Sequence, residues 1–293
     1  MASRTWIVLG AGISLLLPSA AKAEADDAGI ARITGLATEV QGDVVRVSAP
    51  RSDLHVEVDG LAMTPFQGFT SWAAFQRVGE ETMLMGDIVA TEREADAALG
   101  AALDAGLEVT ALHNHFFFEK PRVFFMHIGG MGPTETLARG VKATLDAAKA
   151  ASAGSHEAGF GGPAIPTPSH IEPAPLEEIL GARGVSKDGM VKFVIGRSAR
   201  MHGTEVGSAM GVNTWAVFSG APEAAAVDGD FAMLEGELQP VLKALHRGGI
   251  HVVAIHNHMT HEEPRFVFLH YWGKGRATDL ARVLKTALDT QGR

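Results

Sequence analysis

The sequence predicts an α+β protein built by internal duplication, each half a mostly antiparallel sheet with two helices in the order β-β-β-β-α-β-β-α. Three observations carry this reading. Residues 113–127 (HNHFFFEKPRVFFMH) and 256–270 (HNHMTHEEPRFVFLH) are identical at eight of fifteen positions without a gap. The likeness extends upstream, where Arg51-Ser52 and Thr70-Ser71-Trp72-Ala73-Ala74-Phe75 parallel Arg197-Ser198 and Asn213-Thr214-Trp215-Ala216-Val217-Phe218, and downstream, where Leu137-Ala138-Arg139 answers Leu280-Ala281-Arg282. Both copies also run through the same order of strand and helix patterns.

In the first copy, Val44–Val47, His55–Val58, Trp72–Gln76 and Thr82–Leu84 have the Val, Ile and aromatic content of strands. Their counterparts in the second copy are Val191–Ile195, Trp215–Phe218 and Phe231–Leu234. A helix follows, because Leu238, Val241, Leu242 and Leu245 fall at i, i+3, i+4 and i+7, with Pro240 early and Gly248-Gly249 as the stop. Two strands, Ile250–Met259 and Arg265–Trp272, come next around an acidic turn, and a last helix spans about Thr278–Leu288. The repeats then occupy residues 30–150 and 176–293, joined by a Gly/Pro-rich linker over 151–175, and related halves of this size are expected to pack on one another.

The 293 residues are 46% hydrophobic and 20% charged and contain no cysteine, so a core needs no disulfides, and thiolate sites and cysteine nucleophiles are excluded. Residues 1–23 read as a secretory signal peptide: Arg4, an apolar run from Trp6 to Leu17, Pro18, then Ala21-Lys22-Ala23. The run is shorter than the ~20 residues of a membrane span. Cleavage near Ala23 removes Arg4 and Lys22, taking the formal charge from −9 to −11 and the chain to the periplasm or the medium. An acidic chain without a basic block is a poor partner for nucleic acid or an anionic membrane.

Of thirteen histidines, eight pair across the repeat: His55 with His202, His113 with His256, His115 with His258 and His127 with His270. On a strand, His256 and His258 share one face, about 7 Å apart, and can converge on an ion. Glu262 and His270 complete a candidate divalent-metal set, with zinc the expected ion, and a carboxylate followed by a later His resembles the ligand logic of cupins, though not their all-β fold. The set closes if the turn places His256 opposite His270; a slip of one residue turns His270 away. In the enzymatic version Glu263 is the general base, and His202 is a further ligand or orients the substrate. The equivalent set, His113, His115, Glu119 and His127, is the weaker one, because Phe118 and Lys120 stand where the second copy has His261 and Glu263.

The same histidines equally fit a polar-ligand cluster or a structural role between repeats. In a non-catalytic envelope-binding module, Trp215, Trp272 and Tyr271 stack on sugar rings while Arg265 and the histidines bond a small polar or glycan ligand. Arg265 alternatively pairs with Glu262 and fixes the turn. No P-loop and no GxSxG elbow are present.

On Ala254-Ile255-His256-Asn257-His258-Met259, Glu263-Pro264-Arg265 and Phe268-Leu269-His270-Tyr271-Trp272, with the same pattern at Ala111–His115 and Pro121-Arg122, the chain resembles the LppY/LpqO family of exported bacterial proteins. The resemblance covers nearly the whole mature chain and implies export and a duplicated domain. Members labelled peptidoglycan-binding point to an envelope ligand. The family's lipid anchor needs a cysteine that this chain lacks, so soluble export is expected.

Overall fold

The computed structural model describes residues 26–153 and 159–292; the signal-peptide reading falls outside them. The first half comprises α1 (Asp27–Thr34), β1 (Thr38–Gln41), β2 (Val44–Pro50), β3 (Glu57–Val58), β4 (Leu61–Ala62), β5 (Thr70–Val78), β6 (Glu81–Thr91), α2 (Ala95–Asp104), β7 (Glu108–His113), β8 (Glu119–Lys120), β9 (Val123–Gly132) and α3 (Thr134–Ala153). The second half repeats this order as α4 (Pro173–Leu180), β10 (Gly184–Lys187), β11 (Met190–Gly196), β12 (Ala199–Met201), β13 (Thr204–Val206), β14 (Asn213–Ala221), β15 (Ala224–Leu234), α5 (Leu238–Arg247), β16 (His251–His256), β17 (Glu262–Glu263), β18 (Phe266–Gly275) and α6 (Ala277–Asp289).

The class is α+β, with antiparallel pairing, and the described residues form six α-helices. The expected half lacked its opening helix. α1 is set by the Asp26 side chain, which accepts from the Gly29 N–H, and α4 by prolines in its first turn, which the sequence reading assigned to the linker. At eight residues each, they are too short to show a periodicity.

Twelve strands form one sheet in the order β1-β2-β5-β6-β9-β7-β16-β18-β15-β14-β11-β10. The halves therefore share a sheet, joined where β7 meets β16 antiparallel at Leu112 and Ile255. Across this seam the Gln239 amide bonds the Val109 backbone both ways, accepting from its N–H at 3.1 Å and donating to its carbonyl at 2.8 Å. His251 Nδ1 lies 2.9 Å from Asp96 Oδ1.

Strand alternation gives the sheet two unlike faces. Leu112, Met126, Ile255, Leu269 and Tyr271 point into the main core, where the helices lie. The α5 residues Leu238, Val241, Leu242 and Leu245 are all buried there, as their spacing predicts. The opposite face carries two small clusters, around Val89 and Phe125 in the first half and around Ala232, Phe266 and Phe268 in the second. Each includes residues of, or next to, a three-stranded ribbon, β4-β3-β8 or β13-β12-β17. Beside these ribbons the helix-free face holds the paired histidines. No helix among the described residues is long and apolar enough to cross a membrane.

The repeated Arg-Ser pairs have a structural purpose. Arg51 bonds Glu94, Asp53 and the Val89 carbonyl, and Arg197 bonds both carboxylate oxygens of Glu237 at 3.0 and 3.1 Å. Each guanidinium thus neutralises a buried acid beside α2 or α5.

Candidate functional site

β16 ends at His256, and the chain leaves the sheet before His258. His258 nevertheless returns over the same face because its ring stacks on Phe268 of β18, 3.6 Å away at 10°. Phe268 faces His256 in register, whereas His270 faces Ala254. The displacement is two residues, which preserves the face, and His270 stacks on His256 at 4.7 Å. His270 thus lies against His256 without the opposed pairing that the sequence reading required, and it is not among the residues whose ligand atoms come together.

The carboxylate that joins them is Asp230, which faces His270 in register and is 2% exposed. Its Oδ2 lies 3.0 Å from His258 Nε2, which is itself 3.1 Å from His256 Nε2. Ligand atoms of Asp230, His256 and His258 all fall within 4.8 Å of one another. A tetrahedral ion with bonds of ~2.0–2.1 Å holds its donors roughly 3.3 Å apart, so these spacings approach the edges of one coordination polyhedron. His270 sits behind the triad with Nδ1 3.2 Å from the Gly229 carbonyl, a contact that fixes its ring orientation.

Glu262 is not part of this set. Its Oε1 accepts the Phe266 N–H at 3.0 Å, bracing the turn, just as Glu119 Oε1 accepts from Val123 N and Asn114 Nδ2. Glu263 is exposed, faces Arg200 across the ribbon, and is not among the residues whose ligand atoms come together. His202 occupies a left-handed turn beside His261, with ring centroids 6.4 Å apart. Arg265 is exposed and makes no ion pair with Glu262 among the described residues. Phe118 does not fill the first copy's site, being 81% exposed. Tyr271 is buried on the helix side and donates to the Trp215 carbonyl, so it offers no stacking surface. Gly229 makes that bond possible, since a Cβ there would lie 2.2 Å from the Tyr271 hydroxyl.

Trp215 and Trp272 do reach the site's face. With Phe160, Val253, Asp228 and His270 they line an open groove of about 500 Å³. His270 belongs to both groove and cluster, so the groove runs up to the triad. Asp228 faces Trp272 in register, and Lys192 Nζ lies 4.7 Å over the Trp215 ring.

The electrostatics suit a cation. Burial, then the charges of His270 and His258, push His256 down to about 4, so it presents neutral imidazole at neutral pH. Burial raises the Asp230 carboxyl despite the same two histidines, and burial raises Asp228. Asp230 Oδ1 and His256 Nδ1, which are not the atoms that approach His258, are buried without a hydrogen-bond partner.

The family model described as Domain of Unknown Function (DUF1259) matches residues 28–147 and again 174–290, so the chain belongs to that family and contains its domain twice. No curated protein matches the chain. Among solved structures it is similar to EtuB from Clostridium kluyveri, at 12% identity over 88% of this chain and 90% of that one, with a TM-score of 0.22. It is also similar to the trimeric bacterial microcompartment shell protein PduB, at 13% identity over 85% and 87% of the two chains, with a TM-score of 0.20.

Proposed function

We propose that this is an exported protein of the LppY/LpqO type that binds a divalent metal, zinc, through Asp230, His256 and His258, and acts as a metal-dependent hydrolase. The observation that carries the reading is the 3.0 and 3.1 Å spacing of three donor atoms from two chain segments, one of them on a carboxylate that is 2% exposed. Two imidazoles and a carboxylate form a zinc donor set, and three protein ligands leave a coordination position for water or substrate. When bound, the ion supplies a Lewis acid and an acidified water. The chain's own part is to keep His256 unprotonated, to hold His270 behind it, and to offer the raised Asp228 carboxyl along the groove as acid or base.

The test is metal content by mass spectrometry on untagged protein from the exported fraction, beside His256→Ala/His258→Ala. The variant should lose one equivalent while keeping its far-UV spectrum; equal metal in both proteins would overturn the site.

A second reading, a non-catalytic glycan-binding module, is favoured by the groove itself, where two indoles flank a carboxyl that can accept hydroxyl protons. Cosedimentation with purified peptidoglycan separates the two. Retention that survives chelation and is lost in Trp272→Ala supports the module; retention lost on chelation supports the metal.

A further inference from the structure

The first copy sets the same rings in the same arrangement. His113 and His115 lie 5.2 Å apart at 48°, against 5.0 Å and 44° for His256 and His258. His127 stacks on His113 at 5.2 Å and 13°, against 4.7 Å and 17° for His270 on His256. His115 lies flat on Phe125 at 3.3 Å, as His258 does on Phe268. The acid is matched as well: Asp87 faces His127 in register and Trp72 on its other side, as Asp230 faces His270 and Trp215.

The unmet demands coincide too. Asp87 Oδ1 and His113 Nδ1 are buried and without a partner, the same two atoms as in the second copy, and Asp87 is only 8% exposed. The copies match in ring placement and buried acid but not in closeness: among the described residues only Asp230, His256 and His258 bring a ligand atom each within 4.8 Å of one another, so in the first copy Asp87 and the imidazoles must turn toward an ion to hold it. Asp87 escaped the sequence reading, which offered Glu119 instead, but the Glu119 Oε1 is used by the Val123 N–H and the Asn114 amide. We infer that Asp87, His113 and His115, with His127 behind them, hold a second divalent ion, so that each chain binds two.

Register places both sites on one face. Ala111 lies between His127 and the seam, and Ala254 between His270 and the seam, while Leu112 and Ile255, which pair across it, point to the core. His113 and His256 therefore project from adjacent central strands on the same side, and the ions sit outward from the seam in opposite halves.

The inference rests on the metal reading of the second copy, and the experiment separates their failures. Metal-free protein is titrated with Zn²⁺ by calorimetry, and bound zinc is counted by mass spectrometry after desalting, for the wild type, Asp87→Asn/His115→Gln, Asp230→Asn/His258→Gln and the fourfold variant. His115 and His258 are exposed, and Asn and Gln keep side-chain shape, so the folds should persist, which far-UV spectra check. The expected counts are two, one, one and none. Co²⁺ substitution adds a second readout: each double variant should lose about half of the visible absorbance of the wild type. One equivalent in the wild type, unchanged in Asp87→Asn/His115→Gln and absent from Asp230→Asn/His258→Gln, would overturn this inference and leave the second-copy site standing. No zinc in any protein would overturn both.

Discussion

The two copies agree in their histidines and differ in what lies beside them. Asp228 and Trp272 of the second copy correspond, at the same offset as the histidines, to Met85 and Gly129 of the first. Met85 is 59% exposed and, like Gly129, offers neither the carboxyl nor the indole that line the groove of the second copy. The comparison separates two origins of a site. The imidazole and carboxylate arrangement follows from strand register, which the duplication fixes in both halves. The groove depends on individual side chains that the halves do not share. The ring arrangement is thus present twice, whereas Trp272 and Asp228 of the groove have no counterpart of their kind in the first copy.

The largest difference between the halves should come from removing a clamp. The Glu94 side chain is fully buried and faces Arg51, whereas Glu237 retains 10% exposure and also accepts from Gln291. Arg51→Ala leaves the buried Glu94 carboxylate with the Thr91 N–H but without its guanidinium, and should cost roughly 3–5 kcal/mol. Arg197→Ala should cost less, because Glu237 keeps the Gln291 amide in addition to the Leu234 N–H that matches the Thr91 N–H on Glu94. Urea unfolding of both variants at pH 7 orders them; a greater loss in Arg197→Ala would show that burial of the acid does not set the clamp's worth.

Metal comes next in size. At a free zinc concentration 100 times Kd, each site stabilises the fold by about 2.7 kcal/mol. Asp230→Asn should remove the second copy's share and leave that of the first. Unfolding curves at buffered zinc that are identical for wild type and variant would break this assignment.

Protonation acts in the same residues with opposite signs. The folded pKa of His256 is about 4, below the ~6.5 of an unfolded histidine, so between those values the unfolded chain binds the extra proton. Its contribution is lost as pH falls from 6.5 toward 4, and His113 and His115, also lowered chiefly by burial, add to that loss. Asp87 and Asp230 are raised and work the other way, gaining stability as acid protonates them in the fold first. His256→Gln isolates the part of this ring: between pH 6.5 and 4 the metal-free variant should lose less stability than the metal-free wild type. A variant slope equal to the wild type's would contradict the burial of this ring.

The sequence made the duplication, the pairing of the histidines across it and the α5 stripe legible, because each rests on identity or spacing alone. It hid the aspartates for a definite reason. The run AAAVDGD at residues 224–230 has the Ala, Gly and Asp content that strands usually lack, so β15 was read from Phe231 onward, yet the strand begins at Ala224. Asp230 is held in a strand by neighbours on both sides, Trp215 and His270, which only the tertiary pairing supplies. Glu262 was the nearer acid in sequence and serves the hairpin instead. Register was also beyond reach: the bulge between Val252 and Ala254 sets which residues of β16 and β18 face one another.

The smallest effect tests whether the connecting segment belongs to the second copy. Phe160 stacks on His251 at 3.8 Å and 7°, and His251 in turn lies 2.9 Å from Asp96 of the first half, so a single aromatic residue covers a contact across the seam. It also forms one wall of the groove. With 46% of its surface exposed, Phe160 gives up little hydrophobic area on truncation, and the stacking itself is worth about 0.5–1.5 kcal/mol. Phe160→Ala should lower the urea midpoint by an amount in that range. It should leave zinc stoichiometry untouched, because no donor of either triad contacts it. A midpoint equal to the wild type's would mean that the segment only lies against the groove, and the second copy's added wall would then rest on Trp215 and Trp272 alone.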